Sequence, residues 1–218
     1  MTDQLTFDWP NGVSLGAEDF FVSQANAQAY AMLQAPDSWP ERKLVLVGPS
    51  GCGKSHLARI GAAGMQGQIC DSSALPDQPQ NGGFVIVEDM DRLPNHSQEA
   101  MFHLHNHLRH TGGLLLMTAQ TAPSRWPITL PDLASRMQAT TIVTINAPDD
   151  ALLQALLMKL FADRQLNIGG SVIPYLAKRI ERSYDAAVDI VAALDRAALA
   201  EGVAVTTKLA ARLLDNGT

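Results

Sequence analysis

Gly48, Pro49, Ser50, Gly51, Cys52, Gly53, Lys54 and Ser55 follow one another in the order needed to hold a chain of phosphates. Glycines let backbone N–H groups turn inward around an anion, a lysine reaches the outer phosphates, and the next hydroxyl ligates magnesium. A second group of residues fits the same chemistry. Glu88 and Asp89 directly follow the apolar run Phe84-Val85-Ile86-Val87. Such a pair can hold the magnesium water shell and orient an attacking water. Ser55 and Glu88 are thus the expected magnesium-side groups.

These groups must be positioned by strands and helices, and the flanking sequence supplies both. Leu44-Val45-Leu46-Val47 reads as a buried strand entering the loop, and Ser55-His56-Leu57-Ala58-Arg59-Ile60 can open a helix whose dipole faces the anion. His56 therefore joins the expected nucleotide contacts. Further apolar runs occur at Ile69-Cys70, at Leu114-Leu115-Leu116-Met117 and at Thr141-Ile142-Val143-Thr144-Ile145. The apolar positions between Asp19 and Gln34 predict a helix after Ser23, its N-cap, and periodicity predicts another from Gln98 to His110, stopped by Gly112-Gly113. Apolar strands alternating with helices imply an α/β fold with a parallel sheet covered on both faces. Beyond Pro148 the pattern becomes helical, with amphipathic stretches at Ala151–Arg164, Val172–Arg182, Ala186–Ala200 and Thr207–Leu214. The expected organisation is an arm over 1–17, an α/β nucleotide-binding domain over 18–147 and a small helical lid over 148–218.

Composition narrows the partners. The 218 residues, 46% hydrophobic and 17% charged, suffice for a sizeable core. No apolar run approaches the roughly 18 residues of a membrane span, and the N-terminus lacks a basic region leading into an apolar stretch, so a cytoplasmic location is expected. The two cysteines, Cys52 and Cys70, form no disulfide framework of the secreted kind. A net charge of −6 argues against strong direct DNA binding, and the modest cluster Lys178, Arg179 and Arg182 reads as a solvated helix face. His103, His105, His107 and His110 invite a metal, but no cysteine or carboxylate is spaced to complete the set. In the arm, Gln4-Leu5-Thr6-Phe7-Asp8-Trp9 places Leu5, Phe7 and Trp9 on one face of an extended peptide, suited to docking on the chain's own domain or on a partner.

The order of elements resembles the AAA+ P-loop family, and within it the branch formed by the replication initiator DnaA and its small relative Hda. Phe20, Val22, Asn26 and Ala27 look like the motif beside the adenine, with Phe21 and Val22 as expected cofactor contacts. The run from Phe102 to Leu108 is similar to the helix before the third catalytic strand. Leu130-Pro131-Asp132-Leu133-Ala134-Ser135-Arg136 looks like the motif whose arginine acts as a finger on a neighbouring subunit's nucleotide. The resemblance spans roughly residues 18–214. It implies ADP or ATP with magnesium, and the Hda type implies DnaA and the DNA polymerase sliding clamp as partners. Gln4, Leu5, Phe7 and Trp9 would then be the clamp-binding contacts, with nucleotide-dependent self-association as a further expectation. No helix-turn-helix follows Leu213-Leu214, which also resembles Hda.

Departures from the family pattern point to weak intrinsic hydrolysis. Glu88 precedes Asp89 where an aspartate usually leads, only Thr118 remains to sense the γ-phosphate, and Val188 stands where a sensor arginine is expected. A carboxylate displaced by near 1 Å can cost about a hundredfold in rate. Arg136 becomes the residue of greatest interest, its alternative being a surface ion pair with a carboxylate. A self-sufficient AAA+ ATPase, such as a helicase loader or a DnaA-like remodeller, is the second expectation. A small-molecule kinase would leave Ser135-Arg136 and the lid unexplained.

Overall fold

A computed structural model describes residues 20–77 and 79–216. Five strands form one parallel sheet: β1 (Lys43–Val47), β2 (Gln68–Asp71), β3 (Phe84–Glu88), β4 (Leu114–Ala119) and β5 (Ile142–Thr144). Their order across the sheet is β2-β3-β4-β1-β5. β4 is thus inserted between the strand that carries the phosphate loop and the strand that carries the acidic pair. Leu46 lies beside Thr118, and Val87 beside Met117, so the C-terminal ends of three neighbouring strands converge. Ligand sites of open parallel sheets lie off these ends.

Both faces of the sheet are dry. Leu44, Leu46, Ile86, Leu116 and Val143 point to one side, under α1 (Ala27–Gln34) and α2 (Lys54–Met65). Val45, Val85, Val87, Leu115 and Met117 point to the other, under α3 (Gln98–Thr111) and α4 (Pro131–Gln138). Alternation of two apolar faces explains why the strands read as continuous hydrophobic runs. The C-terminal helices α5 (Asp150–Asp163), α6 (Val172–Ala177), α7 (Tyr184–Glu201) and α8 (Thr207–Asn216) build a separate core around Leu157, Leu160, Phe161, Leu176, Val191 and Leu194. Between these helices, the isolated parallel bridge Ile168–Val205 joins two loops.

Two helices are shorter than their periodicity predicts. α1 begins only after Asn26, whose carboxamide accepts from Ser23 N–H and donates to Phe21 O, so Asn26 holds the preceding turn that Ser23 was expected to start. α6 stops at Ala177, where the expectation ran to Arg182. Ile180 still packs on the helical core, but the chain after it turns so that Ser183 caps α7, its hydroxyl accepting from Ala186 N–H.

Candidate functional site

The loop between β1 and α2 is wedged under neighbouring backbone. A Cβ on Gly48 would lie 2.3 Å from the Ile145 carbonyl oxygen and 2.7 Å from Cys52 Sγ. Gly51 (φ +65°) and Gly53 (φ +102°) both adopt the left-handed region, where side chains are disfavoured. Pro49 and Ser50 are exposed on the rim, as is Ser55 in the first turn of α2. Lys54 is only 8% exposed, and its ammonium donates to the carbonyls of Gly48 (2.9 Å) and Pro49 (2.8 Å). The lysine therefore arches over the loop, with a positive charge and the N-terminus of a 12-residue helix converging where phosphates would sit. Burial pushes the Cys52 thiol up, away from the reactive thiolate.

The acidic pair adopts two different backbone shapes. Glu88 ends β3, and its Oε1 is shielded from solvent without a hydrogen-bond partner. An unpartnered buried carboxylate oxygen at the C-terminal end of a strand is chemically suited to a cation such as magnesium. Asp89 turns into the left-handed region (φ 55°, ψ 46°). Its N–H donates to Thr118 Oγ1 (3.2 Å), and its carbonyl accepts from Ser72 Oγ (3.0 Å). Thr118, expected to sense a γ-phosphate, is buried, and its hydroxyl oxygen accepts from the Asp89 N–H.

A cavity opens beside the loop, lined by Phe20, Phe21, Asn26, Gly51, His56 and Tyr184, and closed from the helical side by Pro148, Leu152, Leu156, Lys159 and Leu160. Phe20 stacks on Tyr30 and meets the His56 ring edge-on at 5.2 Å between centroids. Such apolar, aromatic walls beside a phosphate site suit a nucleoside. Of the expected contacts, Phe21 and His56 line this cavity, whereas Val22, half exposed, is not part of the lining. The helical wall was not legible in the motif pattern. Tyr184 carries no motif signature, yet its N–H donates to Gly51 O at 2.7 Å.

Arg136 lies on α4, outside the cavity lining. Its guanidinium sits 4.7 Å from the Phe102 ring centroid, bonds the Asn106 carboxamide oxygen, and meets His105 Nδ1 at 3.3 Å. All three partners come from α3, spaced so that one helix face cradles the arginine. Among the described residues Arg136 forms no ion pair with a carboxylate, the alternative considered for it: its neighbours are a ring, an amide and an imidazole. Burial, then the charge of Lys43, and also that of Arg136, push the His105 imidazole down to about 4. A neutral ring can accept from the arginine. Among the described residues, no group of three or more His, Cys, Asp or Glu is placed to hold a metal. The arm residues Gln4, Leu5, Phe7 and Trp9 lie outside the described residues.

No protein-family model matches the chain. In sequence it is similar to the chromosomal replication initiator DnaA of Rippkaea orientalis, 25% identical over 186 residues, covering 72% of this chain and 41% of that protein. DnaA of Porphyromonas gingivalis is 23% identical over 206 residues, covering 80% of this chain and 43% of the relative. The chain thus spans about two fifths of the length of these curated relatives. In structure it is similar to domain III of DnaA from Thermotoga maritima (TM-score 0.77, 17% identity, 93% of this chain and 96% of that one). A replication initiator DnaA bound to AMPPCP and single-stranded DNA superposes with TM-score 0.67 at 17% identity, covering 86% of this chain and 66% of that one. The Thermotoga maritima RuvB Holliday junction branch migration motor gives 0.72 at 15% identity, covering 93% and 72%. In sequence the chain is thus similar to DnaA, and in fold to DnaA domain III.

Proposed function

We propose that the chain is a nucleotide-binding regulator of replication initiation of the Hda type. It is tethered to the sliding clamp and promotes ATP hydrolysis by DnaA, placing Arg136 against the initiator's nucleotide in trans. The observation that carries this reading is the setting of Arg136: a guanidinium outside its own nucleotide cavity, without a carboxylate, and held by Phe102, His105 and Asn106. An arginine finger of this kind contributes about 10³–10⁵ in rate. The residues Gly48 to Ser55 would hold ADP or ATP, with magnesium on Ser55 and Glu88. The protein's own turnover would be slow. Val188, at the expected sensor position, packs against the helical core and offers no charge to the phosphates.

Phosphate release from DnaA–ATP, with and without this protein and DNA-loaded clamp, tests the proposal. Stimulation is expected only with all components present. The substitution Arg136→Ala should abolish it while nucleotide and clamp binding persist. The double variant Leu5→Ala, Phe7→Ala should lose the clamp in a pull-down. Normal stimulation by Arg136→Ala would sink the finger assignment. Rapid turnover by the isolated protein, eliminated by Lys54→Ala, would favour a self-sufficient ATPase such as a helicase loader.

A further inference from the structure

Tyr184 joins the phosphate loop to the helical core through its main chain, and its side chain enters the cavity. The N–H on Gly51 O fixes the backbone, and the ring stands in the wall with Phe20, His56 and Leu160. The hydroxyl oxygen is shielded from solvent and has no hydrogen-bond partner among the described residues. Buried hydroxyls are nearly always paired, so this one is free to bond a ligand in the cavity. Two other polar residues of the wall are already engaged. Asn26 is used at both ends of its carboxamide, and the Lys159 ammonium donates to Asp163 Oδ2 at 2.7 Å. Burial raises the phenol further above neutrality, so the O–H keeps its proton and can donate.

We infer that Tyr184 is a nucleotide contact whose hydroxyl bonds the nucleoside, at a sugar hydroxyl or a base nitrogen, when phosphates occupy the loop. The inference rests on the nucleotide-site reading above. It gives α7 a ligand contact one turn before Val188, where the side chain is apolar. Bound nucleotide then touches the helical core as well as the sheet.

The test is Tyr184→Phe in the full chain, read by calorimetric titration and thermal melting. The probes are ADP and ATP with magnesium, 2′-deoxy-ADP, 7-deaza-ADP lacking a ring-nitrogen acceptor, and inorganic pyrophosphate. The variant should bind ADP and ATP about three- to tenfold more weakly, the worth of one hydrogen bond. It should take pyrophosphate as the wild type does and melt no lower than the wild type without nucleotide. The analogue that the two proteins bind equally identifies the bonded position. Equal affinity for ADP and ATP would overturn the assignment. So would a lower melting temperature without nucleotide accompanied by equal weakening for pyrophosphate, which would mark a structural residue. If the wild type binds no nucleotide, or Lys54→Ala binds as well as the wild type, the nucleotide-site reading itself fails.

Discussion

The phosphate loop and the Arg136 cradle handle a positive charge in opposite ways. At the loop, Lys54 is folded back onto the carbonyls of Gly48 and Pro49, and α7 closes over Gly51. The ammonium has local acceptors, which an incoming phosphate would compete with or join. At the cradle, Arg136 is oriented by a ring, an amide and a neutral imidazole, none of which cancels its charge. Orientation without neutralisation suits a group meant for an anion supplied from elsewhere. One region is built to keep a ligand, the other to present a charge.

The sharpest way to break this contrast is the pair Arg136→Ala and Lys54→Ala. The first should lower stimulated hydrolysis by about 10³-fold or more with nucleotide affinity unchanged. The second should weaken nucleotide binding by about a hundredfold, the loss of a charged hydrogen-bonding group, with the cradle intact. If both variants lose the same function, the two regions are not distinct. A smaller effect concerns the packing that shapes the loop. Gly48→Ala forces a methyl against Ile145 O, and should cost about 2–3 kcal/mol in urea denaturation. A cost below about 0.5 kcal/mol would show that the loop yields freely.

The smallest effect sharpens the cradle. His105, facing Arg136, Asn106, Lys43 and Glu41, has a folded pKa of about 4 against an ordinary 6.5. Between those values the unfolded chain binds a proton that the folded chain refuses. Stability should therefore fall as pH drops from about 6.5 towards 4, by at most about 1.4 kcal/mol per pH unit from this group. Denaturation at pH 7.5, 6 and 5 should show a shallower dependence in His105→Gln. An unchanged slope would mean that His105 titrates normally.

The sequence is most informative where chemistry is local. The loop, its strand, and Glu88 with Asp89 are contiguous, and β1 to β5 announce themselves as apolar runs because both faces of the sheet are covered. The order of strands is not written locally, since a crossover helix can carry the chain to either neighbour. Nothing in Leu114 to Ala119 says that β4 separates β1 from β3. The same holds for contacts between distant segments. Arg136 was a candidate from its own motif, but its meeting with Phe102, His105 and Asn106 depends on how α4 packs on α3. Tyr184 had no motif at all, and its importance follows from α7 ending against Gly51. Val22 shows the same limit, since proximity in sequence to Phe20 and Phe21 does not place it in the lining of the cavity.

The bond from Tyr184 N–H to Gly51 O also bears on how the molecule comes apart. The helical core and the two sheet-side cores share few side chains, so each has its own reason to be folded. Without ligand, such cores can melt in separate steps. A nucleotide gripped by the loop and by α7 stabilises only the state in which both are intact, and so merges those steps into a single cooperative transition.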